Sequence, residues 1–112
     1  MTSGLHVKRC LPCEGGVKPL TKDQKNKFLK EIEKEWIVNS DYTELHRDFK
    51  FKNYYETIAF VNAIAWVAHK ENHHPDLEVG YNHCLVRYST HAMKDLTEND
   101  FICAAKVERL LL

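Results

Sequence analysis

Residues 44–51, Glu-Leu-His-Arg-Asp-Phe-Lys-Phe, alternate in character: Leu45, Phe49 and Phe51 share one face with Arg47, while Glu44, His46, Asp48 and Lys50 take the other. Successive side chains of a strand point to opposite sides, so this pattern describes a half-buried strand. Three residues on, the period changes. Between Tyr54 and Glu71, Ile58, Val61, Ala65 and Ala68 recur at helical spacing, as do Phe60, Ile64 and Val67. Together they predict a helix with a broad apolar face, suited to packing on a sheet. A one-faced strand followed by a one-faced helix leaves few arrangements, and a sheet covered by helices is the simplest.

The remaining elements follow from local signals. Thr21–Gln24, Asn53–Glu56 and Thr97–Asp100 each place a capping side chain three residues before an amide or carboxylate that can reach back to it. They predict helices of about 22–35, 54–71 and 98–110. Pro75 disfavours helical geometry at His74, so the middle helix should end by about residue 72. Trp36–Val38 reads as a short strand, Asn39-Ser-Asp41 as a turn, residues 76–80 as another short strand, and Cys84–Thr90 as a longer one. The order is α-β-β-α-β-β-α. This is an α+β fold, a four-stranded antiparallel sheet with helices packed on one face, whose open face or edge could build an oligomer.

The chain of 112 residues suits one domain. Residues 1–19, with Gly4, Pro12, Gly15, Gly16 and Pro19, read as an irregular N-terminal arm, and residues 20–112 as a single domain. Lys plus Arg equals Asp plus Glu at sixteen each, so no basic excess points to direct nucleic-acid binding. No apolar run is long enough for a membrane span, and the N-terminus lacks the apolar core of a secretory signal. The expected location is the cytoplasm, with reduced cysteines. Cys84 and Cys103 read as small core residues. His6, Cys10 and Cys13 could supply three metal ligands, although a single C-x-x-C is weak evidence.

The stretch Glu71-Asn-His-His-Pro-Asp76 carries the densest chemistry. An extended His74 sends neighbouring imidazoles in different directions, so His73 and His74 could contact different parts of one ligand. If the last two strands pair as a hairpin, residues just before 76 and just after 90 lie at the same end, which brings His91 to the pair. Imidazoles titrate near neutrality and suit general acid–base work. Two other readings compete: histidines as solvated ends of elements, and His69 with His73 as i, i+4 metal ligands. The latter stretch reads H-K-E-N-H, without the glutamate of the H-E-x-x-H zinc motif in its place.

The run His73-His-Pro-Asp-Leu-Glu-Val-Gly-Tyr-Asn82, then Tyr88-Ser-Thr-His91, then Leu96-Thr-Glu-Asn-Asp-Phe101 closely resembles the pterin-4a-carbinolamine dehydratase family. H-H-P, Y-N, S-T-H and L-[ST]-x-x-D follow in order at family-like spacing, and the resemblance covers about residues 18–110. It implies a hydro-lyase that converts 4a-hydroxytetrahydropterin to quinonoid dihydropterin plus water, recycling the pterin of aromatic amino acid hydroxylation. It implies His73, His74 and His91 as catalytic groups, a pterin pocket of these three with Pro75, Thr90, Ala92 and Met93, and no required metal or organic cofactor. It also implies a homodimer or homotetramer and a functional link to a pterin-dependent hydroxylase.

Asp100 matches a family aspartate but also reads as a helix cap. Many relatives carry an acidic residue where this chain has His69, and Glu71 could substitute for it from another direction. The alternative function is a non-catalytic pterin-binding or protein-dimerisation module, since animal family members also serve as dimerisation cofactors of a homeodomain transcription factor.

Overall fold

A computed structural model describes residues 4–12 and 16–111 of the chain. Its elements are α1 (Lys22–Leu29), β1 (Ile37–Val38), β2 (Leu45–Lys50), α2 (Tyr54–Glu71), β3 (Asp76–Val79), β4 (His83–Tyr88) and α3 (Glu98–Glu108), with 3-10 turns at Leu5–Val7 and Arg109–Leu111. The four strands form one antiparallel sheet in the order β1-β2-β4-β3, so two hairpin-like pairs meet at the central β2–β4 ladder. This is the expected α+β arrangement.

Register sorts the sheet into two faces. Leu45 opposes Tyr88, Arg47 opposes Val86 and Phe49 opposes Cys84. Leu45, Phe49, Cys84, Val86 and Tyr88 are all buried on the helix-covered side. Side chains as large as Leu45 and Phe101 each contribute roughly 1.5–3 kcal/mol when taken fully out of water. Arg47 sits on this side without entering an apolar trap: its guanidinium lies 4.2 Å from the Phe49 ring centroid and pairs with Glu33 at 2.6 Å. The opposite face is polar and crossed by ion pairs, among them Arg87 with Glu78 and Glu44, and His83 with Asp48.

The helices start where the sequence predicts, although the Glu56 carboxylate accepts from the Lys52 N–H rather than reaching back to the Asn53 cap. The Gln24 N–H donates to Thr21 Oγ1 and the Thr21 N–H donates to Gln24 Oε1, at 3.2 and 2.8 Å. The Glu56 N–H donates to Asn53 Oδ1 at 2.9 Å.

One helix end differs from expectation. The first helix stops at Leu29, not near 35. The cause is tertiary. The Glu108 carboxylate, at the end of α3, accepts from the Glu33 N–H and the Trp36 indole N–H, both at 3.0 Å. These bonds hold residues 30–36 in turns that bring Ile32 and Trp36 into the core.

The apolar face of α2 is also narrower than its sequence suggests. Thr57, Phe60, Ile64, Val67 and Glu71 form the buried row, whereas Ile58, Val61 and Ala68 are half-buried and Ala65 and Trp66 are exposed. The most deeply enclosed helix is α3, with Phe101 to Ala105 all buried. It lies against α1, α2 and the N-terminal 3-10 turn, whose Leu5 is part of the core. No helix of the described residues is long and apolar enough to cross a membrane.

Candidate active site

The site forms where α2, β4 and α3 come together. Asn72 ends α2 in the left-handed conformation, with φ 52° and ψ 43°, and its N–H closes on the Ala68 carbonyl. The His73 N–H also donates to the Ala68 carbonyl, at 3.2 Å. This is a tight helix stop, and Asn tolerates the left-handed backbone better than most residues. It turns the chain so that the His73 ring goes inward and the His74 ring stays exposed.

His73 is 6% exposed and Asp100 is wholly buried, and His73 Nε2 lies 2.7 Å from Asp100 Oδ1. The other Asp100 oxygen, Oδ2, accepts from the Thr90 hydroxyl at 2.9 Å and the Thr97 N–H at 3.0 Å. Because Thr90 donates to Asp100, the Thr97 hydroxyl 2.8 Å away donates to Thr90 Oγ1. Three donors therefore converge on one buried carboxylate, the pattern of a charged acceptor. Asp100 is thus the reach-back partner of the α3 cap, as the sequence allows, and also the anchor of His73, which the sequence does not indicate.

The His73 ring also stacks on Tyr88, nearly parallel at 9° with centroids 6.0 Å apart. The Tyr88 hydroxyl is buried without a hydrogen-bond partner among the described residues. Burial, then the nearby Cys103 and Asp100, push its phenol well above the ordinary value. Tyr88 therefore acts here as a flat wall.

His74 and His91 stand edge to face with ring centroids 5.6 Å apart. His91 Nε2 is 3.4 Å from Asp76 Oδ2, an ion pair when the ring is protonated. The loop carrying His91 is closed by a Thr90–Asp95 bridge and by the Met93 N–H on the Thr90 carbonyl. It is pinned by the buried Lys25, whose Nζ reaches Asp95 Oδ1 at 2.7 Å and the Tyr42 carbonyl at 2.6 Å. Burial alone would raise the Asp95 carboxyl. The bonds to Lys25 and the Leu96 N–H outweigh it and hold the group below its ordinary value.

A cavity of about 140 Å³ opens between these groups, lined by Asn72, His73, His74, Ser89, His91 and Ala92. The structure therefore brings together the three histidines and Ala92. Thr90 is buried behind them, its hydroxyl turned to Asp100. Pro75 and Met93 are half-buried and outside the lining. Asn72 and Ser89 were not anticipated. An Asn at the end of an apolar helix, just before the His-His-Pro run, is the signal that could have marked the first.

Two alternative readings of neighbouring groups do not hold. His69 stacks on Trp66, centroids 5.3 Å apart, on the exposed side of α2, so it does not share a ligand with the inward His73. Glu71 does not substitute for an acidic residue beside the histidine. Its carboxylate accepts from the Cys10 N–H at 2.8 Å and pairs with Arg9 and Lys106. The carboxylate that serves His73 is Asp100, from a different helix. Among the described residues no group of three or more His, Cys, Asp or Glu side chains could hold a metal ion, and Cys13 of the candidate N-terminal set lies outside those residues.

The chain is also similar to known proteins. The profile of the family described as Pterin 4 alpha carbinolamine dehydratase matches residues 18–110. A chain from Nitrosomonas eutropha is 56% identical over 105 residues, 94% of this chain and 91% of its own length. One from Legionella pneumophila is 54% identical over 112 residues, 100% of this chain and 99% of its own. Both carry the provisional name pterin-4-alpha-carbinolamine dehydratase.

Among solved structures, a transcriptional coactivator/pterin dehydratase from Brucella melitensis superposes with a TM-score of 0.78 at 29% identity, over 83% of this chain and 98% of that one. A pterin dehydratase-like protein described as a RuBisCO assembly factor of the alpha-carboxysome superposes with a TM-score of 0.60 at 25% identity, over 68% and 88%.

Proposed function

This chain belongs to the pterin-4-alpha-carbinolamine dehydratase family, and from that membership we propose that it dehydrates 4a-hydroxytetrahydropterin to quinonoid dihydropterin by histidine acid–base catalysis. The observation that carries the reading is the His73–Asp100 bond at the wall of a cavity shared with His74 and His91. Dehydration requires that a proton reach the departing 4a-hydroxyl and that another leave N5. Both are transfers that imidazole performs near neutral pH.

The anchored ring suggests a division of labour. With Nε2–H donated to Asp100, the neutral imidazole of His73 keeps its lone pair on Nδ1, the nitrogen of a base. In this assignment His73 accepts the N5 proton, and Asp100 stabilises the imidazolium that results. His74 and His91 stand at the exposed side of the cavity, where one donates to the hydroxyl leaving C4a. Ser89 and Ala92 fill the wall between them. As these protons move, the C4a–O bond breaks, water leaves and the N5 electrons form the C4a=N5 bond, chemistry that calls for no metal or organic cofactor.

The same reading places the chain in recycling the pterin of a hydroxylase that acts on aromatic amino acids, in the cytoplasm, as a homodimer or homotetramer. The exposed Tyr55 and Trp66 on α2 favour self-association, since they present aromatic surface outside the core. The test is whether the chain accelerates water loss from freshly generated 4a-hydroxytetrahydropterin above the uncatalysed rate. Equality with that baseline, in folded protein that still binds pterin, would favour the binding-module reading, for which the assembly-factor neighbour is the structural precedent.

A further inference from the structure

One pair of reactive side chains lies outside the histidine cavity and has no part in the dehydration. Cys10 is half-buried on the N-terminal arm, Cys103 is wholly buried in α3, and their sulfurs are 3.6 Å apart. Both are free thiols. We propose that Cys10 and Cys103 form an oxidation site, a dithiol that a peroxide closes to a disulfide and a thiol reductant reopens.

The juxtaposition is built by several bonds. The Cys10 N–H donates to Glu71 Oε1 at 2.8 Å. The Leu11 N–H donates to Asn99 Oδ1 at 3.0 Å, and Asn99 Nδ2 donates to the Leu11 carbonyl at 2.8 Å. Glu71 and Asn99 thus clip the arm from two helices and hold the sulfur of Cys10 against that of Cys103. A disulfide bond is about 2.05 Å long, so the sulfurs must approach by about 1.5 Å, a movement within reach of side-chain rotation and a small shift of the arm.

The two thiols are unequal. Contact with the Cys10 sulfur, then burial, hold the Cys103 thiol far above its ordinary value, so it is the unreactive member until Cys10 is activated. Cys10, on the half-exposed arm, is the one that peroxide reaches. Its thiolate attacks one peroxide oxygen, giving Cys10 sulfenic acid and hydroxide. The Cys103 thiol then displaces the sulfenic oxygen, forming the S–S bond and releasing water. Two thiols lose two electrons, one hydrogen peroxide gains them, and two waters form in all. Cys84 stays out of the exchange because it is wholly buried, its thiol pushed up to about 11, chiefly by burial.

The cross-link would join residues 93 apart in sequence, a long loop whose closure restricts the unfolded chain. It would fix the arm to α3 one turn beyond Asp100. The proposal does not depend on the dehydratase reading.

The test is hydrogen peroxide added stepwise to the reduced full-length chain, followed by non-reducing peptide mapping and thermal unfolding. The wild type and Cys13→Ser should both yield a linked Cys10–Cys103 peptide that dithiothreitol dissolves, with Tm raised by roughly 5 °C or more in the oxidised form. Cys103→Ala and Cys10→Ser should yield no such peptide and no oxidation-dependent rise. A Cys10–Cys13 link, or Cys10 oxidised singly to sulfinic acid with Cys103 still a thiol, would overturn the proposal.

Discussion

His73 Nε2 and Asp100 Oδ1 lie 2.7 Å apart across 27 residues of chain, joining the end of α2 to the first turn of α3. The same carboxylate also anchors Thr90 and the Thr97 N–H. Position, tautomer and the start of a helix thus hang on one buried group.

Asp100→Asn should therefore harm both activity and stability. The amide offers only one oxygen where three donors converge, and its NH₂ opposes a donor. We expect a rate loss of about 10²-fold or more and destabilisation of about 2–3 kcal/mol. Parallel kinetics and urea unfolding measure the two. Loss of stability with an unchanged rate would reduce Asp100 to a helix cap.

Tyr88→Phe should do the opposite. It keeps the ring against His73 and removes a buried hydroxyl that has no partner. Stability should be unchanged or raised by up to about 1 kcal/mol, with the rate within about twofold of wild type. A large loss of rate would give the hydroxyl a chemical role.

The histidine cluster is legible in the sequence because it is local: His73 and His74 are adjacent, and the strands read over 76–80 and 84–90, once paired as a hairpin, return His91 to them. The helix starts are legible for the same reason, since Thr21 with Gln24 and Thr97 with Asp100 are neighbours in the chain. The stop of α1 is not, because Glu108 causes it from the far end of α3. Nor is the partner of His73: Asp100 looks sufficiently explained as a cap, and nothing near His73 in sequence names it. Glu71 misleads in the converse way, close in sequence but facing the N-terminal arm.

Glu71 gives a pH prediction. Burial by itself would raise its carboxyl, but the Cys10 N–H, Lys106 and Arg9 together hold it below the ordinary 4.5. A carboxyl lowered on folding contributes stability that is complete above its unfolded value and is lost as pH falls through its folded value. In wild type this contribution should therefore fade below about pH 4.5, whereas Glu71→Gln lacks it throughout. Tm should differ most between the two at neutral pH and converge on acidification. A gap that stays constant down to about pH 3, roughly one unit or more below the usual carboxylate range, would contradict the linkage.

Removal of metal should leave the reaction untouched. Protein treated with a strong chelator and desalted should dehydrate substrate at the untreated rate, because in the proposed mechanism imidazoles supply every proton transfer. A fall restored by adding back a divalent cation would require a different mechanism.

The central claim is tested most directly by the dehydration rate of freshly generated 4a-hydroxytetrahydropterin with wild type and His73→Ala side by side, against the uncatalysed reaction. The account predicts strong acceleration by wild type and a loss of about 10²–10⁴-fold in the variant, with pterin binding weakened far less. Wild-type acceleration that survives in folded His73→Ala would contradict it.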